Sequence, residues 1–189
     1  LLPALRRGAN GVTANPMSMK IGVFYGTSTG NTESVAERIA TALGVTAEDI
    51  GSVEASALSS YDTLVVGAPT WHTGADTERS GTDWDEILYN DVPNMDLKGK
   101  KVAFFGCGDS MSYGDYFCDA MGELYDKFAE SGVETIGFFD VDKTPECVAS
   151  KAIRDGKFVG LACDEDNFYD ETDKRIAAWT EQLKSEGAA

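Results

Sequence analysis

Short apolar runs alternate with segments of helical period along this chain, and that alternation restricts the available folds more than any other feature. The runs "KIGVFY" (20–25), "TLVVGAP" (63–69), "KVAFFG" (101–106) and "VETIGFF" (133–139) are each of strand length and nearly unbroken. That is the pattern of strands covered on both faces. A weaker strand is expected near 50–54. Between the runs, residues 31–43 place Val35, Ile39 and Leu43 four apart on one stripe, with Gly44 as a stop signal. Residues 115–130 repeat the pattern with Phe117, Met121, Leu124 and Phe128 before Gly132, and residues 172–185 with Ile176, Trp179 and Leu183. Strand and helix in alternation predict an α/β fold, a single doubly wound domain whose parallel sheet carries helices on both faces. The irregular stretch 140–157, followed by "FVGLAC" (158–163), reads as an insertion that interrupts the fifth strand. No repeat or linker divides residues 20–189, and 189 residues are enough to bury a core without disulfide staples.

Charge narrows the partners. The chain has 32 acidic against 16 basic residues and a net charge of -16. Such a surface repels nucleic acid and anionic membranes and steers toward a basic protein partner, although solubility alone also accounts for it. No window is apolar enough for a membrane span, and membrane insertion is not expected. The cysteines Cys107, Cys118, Cys147 and Cys163 match neither a zinc spacing nor a CxxC pair, which suggests free thiols in a reducing compartment. A single histidine, His72, leaves little for a metal centre or a histidine-based triad. Residues 1–19, "LLPALRRGANGVTANPMSM", carry two arginines and no acid. They read as the tail of an organellar transit peptide or as a disordered leader.

The chemistry begins at "TSTGNT" (27–32), where the first apolar run gives way to the first helix. In an open parallel sheet, ligands bind at that carboxyl edge. Helix-start amides lack intrahelical partners and the dipole there favours anions. Backbone N–H groups and the hydroxyls of Thr27, Ser28, Thr29 and Thr32, with Gly30 and Asn31 between them, could therefore hold a phosphate. The loop lacks the lysine of a GxxxxGK[ST] phosphate loop and the spacing of GxGxxG. Neutral donors without Lys or Arg suit one terminal monophosphate. An N-cap with extra hydroxyls is the structural alternative.

"TSTGNT" after a strand resembles the phosphate loop of flavodoxins, electron carriers that bind flavin mononucleotide (FMN). "GAPTWHTGADTERSGTDWDEIL" (67–88) resembles that family's second flavin loop, "FGCGDSMSYGDYFCDAMG" (105–122) its third, and "RDGKFVGLACDEDN" (154–167) the last third of its long-chain class. The resemblance covers residues 20 to about 185 and implies a flavodoxin-like five-stranded sheet of order 2-1-3-4-5 and non-covalent FMN. Residues 20–189 would be the FMN-binding domain.

By the same resemblance Trp71 covers the inner face of the flavin ring and Tyr113 the outer; stacked rings add roughly 0.5–1.5 kcal/mol beyond area burial. Cys107, Gly108 and Asp109 are assigned to the pyrimidine end, with Tyr116 and Cys118 nearby. Thr70 and Asp166 lie toward the ribityl chain or phosphate, and Pro69, His72, Thr73 and Gly74 complete the second loop. In the family a peptide after the first aromatic reorients on reduction. Here it is His72-Thr73, without glycine, and His72 stands where asparagine is expected. Surplus carboxylates around stacked rings imply a low potential for the second electron.

The resemblance is strongest to algal and plastid members. It implies a non-enzymatic, monomeric one-electron carrier in the chloroplast stroma, shuttling between redox proteins with basic docking surfaces: photosystem I and ferredoxin-NADP reductase, in place of ferredoxin. An FMN-dependent NAD(P)H quinone reductase is the alternative on the same fold. A phosphoacceptor receiver shares the sheet order but needs paired acids that "VFYGTS" lacks.

Overall fold

The apolar runs form the central strands of the computed structural model, which describes residues 19–141 and 147–189. Apart from Met19, the expected leader lies outside the described residues, as does 142–146 of the expected insertion. Strand β1 is Ile21–Tyr25, β3 is Thr63–Pro69 and β4 is Lys101–Cys107. The side chains of all three are almost wholly buried, as continuous apolar runs require. β3 and β4 pair in parallel register from Thr63↔Lys101 to Pro69↔Cys107.

The expected second strand is displaced. β2 is Ala47–Asp49, pairing with β1, and Ile50–Ser52 is a 3₁₀ turn. The side chain of Asp49 accepts the Gly51 N–H at 2.9 Å and turns the chain, while Ile50 is the apolar anchor buried behind it.

The fifth strand is split, as expected. β5, Glu134–Ile136, pairs with the first half of β4, and β9, Gly160–Cys163, pairs with the second half from Phe104↔Gly160 to Cys107↔Cys163. The sheet therefore has the order β2-β1-β3-β4-β5, with β9 continuing β5 along β4. Part of the intervening segment forms a small antiparallel sheet of β6 (Phe139–Asp140), β7 (Ile153–Arg154) and β8 (Lys157–Phe158). β7 and β8 are joined by Asp155 and Gly156, both at positive φ, the geometry of a tight two-residue hairpin.

Helix α1, Asn31–Leu43, has the expected bounds and ends on Gly44 at φ 74°. It packs on α4, Tyr169–Ser185, which starts three residues before the expected 172. On the other side lie α2, Trp84–Asn90, which begins within the expected second flavin loop, and α3, Asp119–Glu130. The expected start of α3 at 115 is corrected: Gly114–Tyr116 is a 3₁₀ turn and Cys118 stands at φ 56°, so the α-helix cannot begin earlier. Phe128 meets Trp84 and Phe104 edge to face at 6.0 and 5.9 Å and fastens both helices to the sheet. The Trp84 indole N–H reaches the Gly67 carbonyl at 3.0 Å.

Segment 147–152 straps across the start of α3. Val148 and Ala149 N–H groups both reach the Gly114 carbonyl, at 3.1 and 3.0 Å, and Asp119 Oδ1 accepts the Lys151 N–H at 2.7 Å. Contact is close enough to demand glycine at 122, where a Cβ would stand 2.2 Å from the Lys151 carbonyl oxygen.

Two expectations follow from the strap. Gly122→Ala forces backbone apart, at a cost toward the top of the roughly 1–3 kcal/mol typical of overpacking, against the roughly 1 kcal/mol gained from helix propensity. The melting temperature should fall by roughly 4 °C. For Asp119, burial raises the carboxyl above its ordinary 3.8, outweighing the Lys151 N–H and the nearby Lys151 and Arg79 charges. Its contribution to stability is thus full below the ordinary value and is lost as pH rises through the raised one. Asp119→Asn, which can still accept the Lys151 N–H, should raise the urea midpoint at neutral pH. The gain should shrink as the titration is carried down through the raised value toward the ordinary 3.8.

Candidate functional site

β1, β3, β4 and β9 end on one edge of the sheet, and the loops leaving them enclose a cleft of about 400 Å³, a size that suits a small organic ligand. The first loop is fixed at Gly26, whose N–H reaches the Gly67 carbonyl at 3.0 Å. Thr27 Oγ1 then accepts the Gly30 N–H at 3.1 Å, and Gly30, at φ 95°, turns the chain into α1. The first intrahelical bond is Ser34 N–H to the Gly30 carbonyl, 2.9 Å, so the amides of Asn31, Thr32 and Glu33 have no carbonyl in the helix to receive them.

Thr32 is 1 % exposed, and its Oγ1 is buried without a hydrogen-bond partner among the described residues. The Cys107 thiol lies close enough to be influenced by it, but a thiol is a weak partner and the geometry makes no bond. A buried hydroxyl facing a cleft with nothing to bind costs free energy until a ligand supplies the partner. Among the described residues, no Lys or Arg lines the cleft.

The second loop leaves β3 at Pro69. Thr70 N–H bonds the Cys107 carbonyl at 3.1 Å, and Thr70 Oγ1 accepts the Ala120 N–H at 3.0 Å, capping α3 from outside. Trp71 follows, 50 % exposed, and opposite it in chain order Tyr113 of the third loop is 53 % exposed. Two aromatic rings half in water at the mouth of one cleft are surface that a flat heterocycle would cover. Asp85 holds the far side of the second loop through the N–H groups of Ser80 and Gly81, at 3.1 and 2.8 Å.

The third loop and the turn after β9 are pinned together by acids. Buried Asp164 accepts the Ser110 N–H and hydroxyl at 2.9 and 2.6 Å, and the Asp166 and Asn167 N–H groups at 3.2 and 3.0 Å. Asp109 Oδ1 accepts the N–H groups of Met111 and Ser112 and the Asn167 amide. Burial works against the Asp109 carboxylate, but these hydrogen bonds, those from Ser112 foremost, outweigh it and hold the group below its ordinary 3.8. Asn31 Nδ2 donates to Asp166 Oδ1 at 3.1 Å and closes the ring of loops.

Of the residues singled out from sequence, Thr27, Ser28, Thr29, Asn31, Thr32, Pro69, Thr70, Trp71, Thr73, Cys107, Gly108, Asp109, Tyr113, Tyr116 and Asp166 line the cleft. Gly30, His72, Gly74 and Cys118 do not. Gly30 serves as the hinge into α1. His72 is exposed and turns its Nδ1 to the Glu78 carbonyl. Gly74 backs the Tyr116 ring, and Cys118 packs under Gly106. Phe117, expected only as part of a helical stripe, and Glu165, which carries no local signature in the sequence, line the cleft in addition. Cys107, Cys118 and Cys163 are buried free thiols, each pushed up chiefly by burial, and are poor nucleophiles. Among the described residues no cluster of His, Cys, Asp or Glu could hold a metal, and no helix is long and apolar enough to cross a membrane.

Comparison with known proteins agrees with this geometry. A Flavodoxin family model matches residues 23–179. A flavodoxin of a Nostoc species is 48 % identical over 173 residues, covering 90 % of this chain and 98 % of the relative. That of Synechococcus elongatus is 45 % identical over 88 % and 97 %, and flavodoxin 2 of Escherichia coli 39 % identical over 90 % and 98 %. The crystal structure of Fusobacterium nucleatum flavodoxin bound to flavin mononucleotide superposes with a TM-score of 0.79 at 28 % identity, covering 89 % of this chain and 99 % of that one. With the sheet order, the split fifth strand and the matched span in agreement, the chain belongs to the flavodoxin family.

Proposed function

We propose that this protein binds FMN without a covalent bond and carries single electrons between larger redox proteins. The observation that carries this reading is the partnerless Thr32 hydroxyl in a cation-free cleft at a helix start, with two half-exposed aromatic rings at its mouth. Membership of the family, and the FMN-bound structure of the Fusobacterium relative, support the choice of ligand.

Each part of the cleft then has a task. The amides of Asn31, Thr32 and Glu33 and the hydroxyls of Ser28, Thr29 and Thr32 hold the phosphate, with Thr27 fixing the loop that presents them. Trp71 and Tyr113 flank the ring and exclude water from its faces. Main-chain groups of Cys107, Gly108 and Asp109 meet its polar edge, and Thr70 and Asp166 lie toward the sugar chain. The bound flavin supplies a ring that takes up and releases electrons one at a time. The carboxylates of Asp109 and Asp166, two residues that line the cleft, disfavour added negative charge there, which lowers the potential, whereas the carboxylate of Glu165 is paired with Arg38. By linkage, each 1.4 kcal/mol of that penalty is worth about 59 mV for one electron.

Exposed Asp76, Glu78, Asp83 and Glu86 beside the second loop, with Asp115, Asp166 and Asp170 across the cleft, form an acidic rim that suits a basic partner. Photosystem I and ferredoxin-NADP reductase in a chloroplast stroma are the partners and place we propose. The cyanobacterial relatives and the acid-free segment 1–19 support that choice. Tyr113 at the cleft mouth leaves little room for a nicotinamide against the ring, which counts against a quinone reductase.

Thr32→Val tests the phosphate assignment, because it removes a hydroxyl that has no partner until ligand arrives. FMN affinity should fall about tenfold or more while riboflavin affinity hardly moves, and the apoprotein should be no less stable than wild type. Equal loss for both ligands would refute the assignment. Purified holoprotein mixed with NADPH and a quinone should show no sustained turnover. Its electron exchange with a basic partner should slow about tenfold between low salt and about 0.5 M.

A further inference from the structure

Glu123 sits on α3 beside the apolar stripe that faces the sheet, yet it is only 4 % exposed and touches no part of the cleft. Its two carboxylate oxygens divide the work. Oε1 accepts the Glu78 N–H at 2.8 Å and also the Tyr89 hydroxyl; Oε2 accepts the Arg79 N–H at 2.9 Å. Burial, and then the hydrogen bond to Glu123, keep the Tyr89 phenol protonated, so it remains a donor. Glu78 is held at φ 54°, a left-handed conformation that a non-glycine residue adopts only under constraint.

The residues so fixed act on the cleft. The Arg79 carbonyl accepts both the Trp71 and His72 N–H groups, at 3.0 and 3.1 Å, and the Glu78 carbonyl meets the His72 ring. The Arg79 guanidinium closes the intervening turn on the carbonyls of Ala75 and Asp76, at 3.0 and 2.8 Å. A continuous set of hydrogen bonds therefore runs from a buried carboxylate on α3, through two backbone units of the second loop, to the peptides that carry Trp71 and His72. A carboxylate is suited to this position because both of its oxygens accept. A glutamine there would turn an NH₂ toward one of the two backbone N–H groups and leave that N–H without its acceptor.

We propose that Glu123 is a positioning residue for the cleft: through Glu78 and Arg79 it sets where Trp71 and the His72 peptide stand against the bound ring. This rests on the FMN reading only for its effect on ligand; the effect on Trp71 is a property of the chain itself.

Glu123→Gln in the full chain tests it. Trp84 and Trp179 are fully buried, so in the flavin-free protein acrylamide quenching reports on Trp71. The variant should show a quenching constant raised about twofold, and affinities for FMN and for riboflavin both lowered by a similar factor of about tenfold, since the ring and not the phosphate loses its support. A cooperatively folded variant with quenching and both affinities unchanged would overturn the proposal. Should the variant not fold, hydrogen exchange on the unsubstituted protein decides. The amides of Glu78, Arg79, Trp71 and His72 should exchange together, about a hundredfold slower than free loop amides; independent, unprotected exchange would overturn it. If wild type failed to bind FMN at all, the functional reading would fall, while the Trp71 measurement would still judge Glu123.

Discussion

The parallel pairing of β3 with β4 sets the height of everything at the cleft. The two strands run in register from Thr63↔Lys101 to Pro69↔Cys107 and are buried on both faces, so neither can slide by a residue without moving its side chains to the wrong face. Because they end level, the loops that carry Trp71 and Tyr113 leave the sheet from the same plane, and the Thr70 N–H can close onto the Cys107 carbonyl. β1 joins the same register up to Tyr25↔Gly67, which brings the first turn of α1 to that plane. Splitting the fifth strand does not disturb this, since β9 meets β4 only over Phe104–Cys107, the half that ends at the cleft. The inserted segment leaves from the other half, away from the strand ends that carry the cleft loops.

The features legible in the sequence are those with a one-dimensional signature. Unbroken apolar runs gave the central strands, and a four-residue period gave α1 to the residue. The hydroxyls of "TSTGNT" marked one wall of the cleft, because helix starts and neutral donors have local chemistry. β2 slipped because its three residues are half-buried and mostly polar, while the apolar residue that drew attention, Ile50, belongs to the turn beyond it. α2 escaped notice because in seven residues it buries only Trp84 and Leu88, too few for a period to show.

The buried acids were the least legible. In a chain with 32 acidic residues, Asp119, Glu123 and Asp164 look no different from solvated ones. Their role lies in which backbone N–H groups they meet, and those come from 32, 45 and 54 residues away along the chain. Such partners are fixed by the fold, so no local pattern announces them. These three carboxylates hold the strap over α3, the second loop and the third loop, and the latter two supply much of the cleft wall.

A dianionic ligand in so acidic a protein also calls for an account of how attraction wins. The long-range field of net charge -16 opposes it, but at physiological ionic strength that field is screened beyond about 8–10 Å. The donors of the α1 start act at hydrogen-bond distance in a partly enclosed cleft, where screening is weak and each charge-assisted bond is worth about twice a neutral one. Local amides and hydroxyls can therefore hold the phosphate without a lysine. On the proposed reading, a lysine at that point would also cancel part of the acidic rim and raise the potential that the cleft carboxylates lower. Gripping the phosphate with uncharged groups would keep the ligand bound and leave the surface charge free for a redox partner.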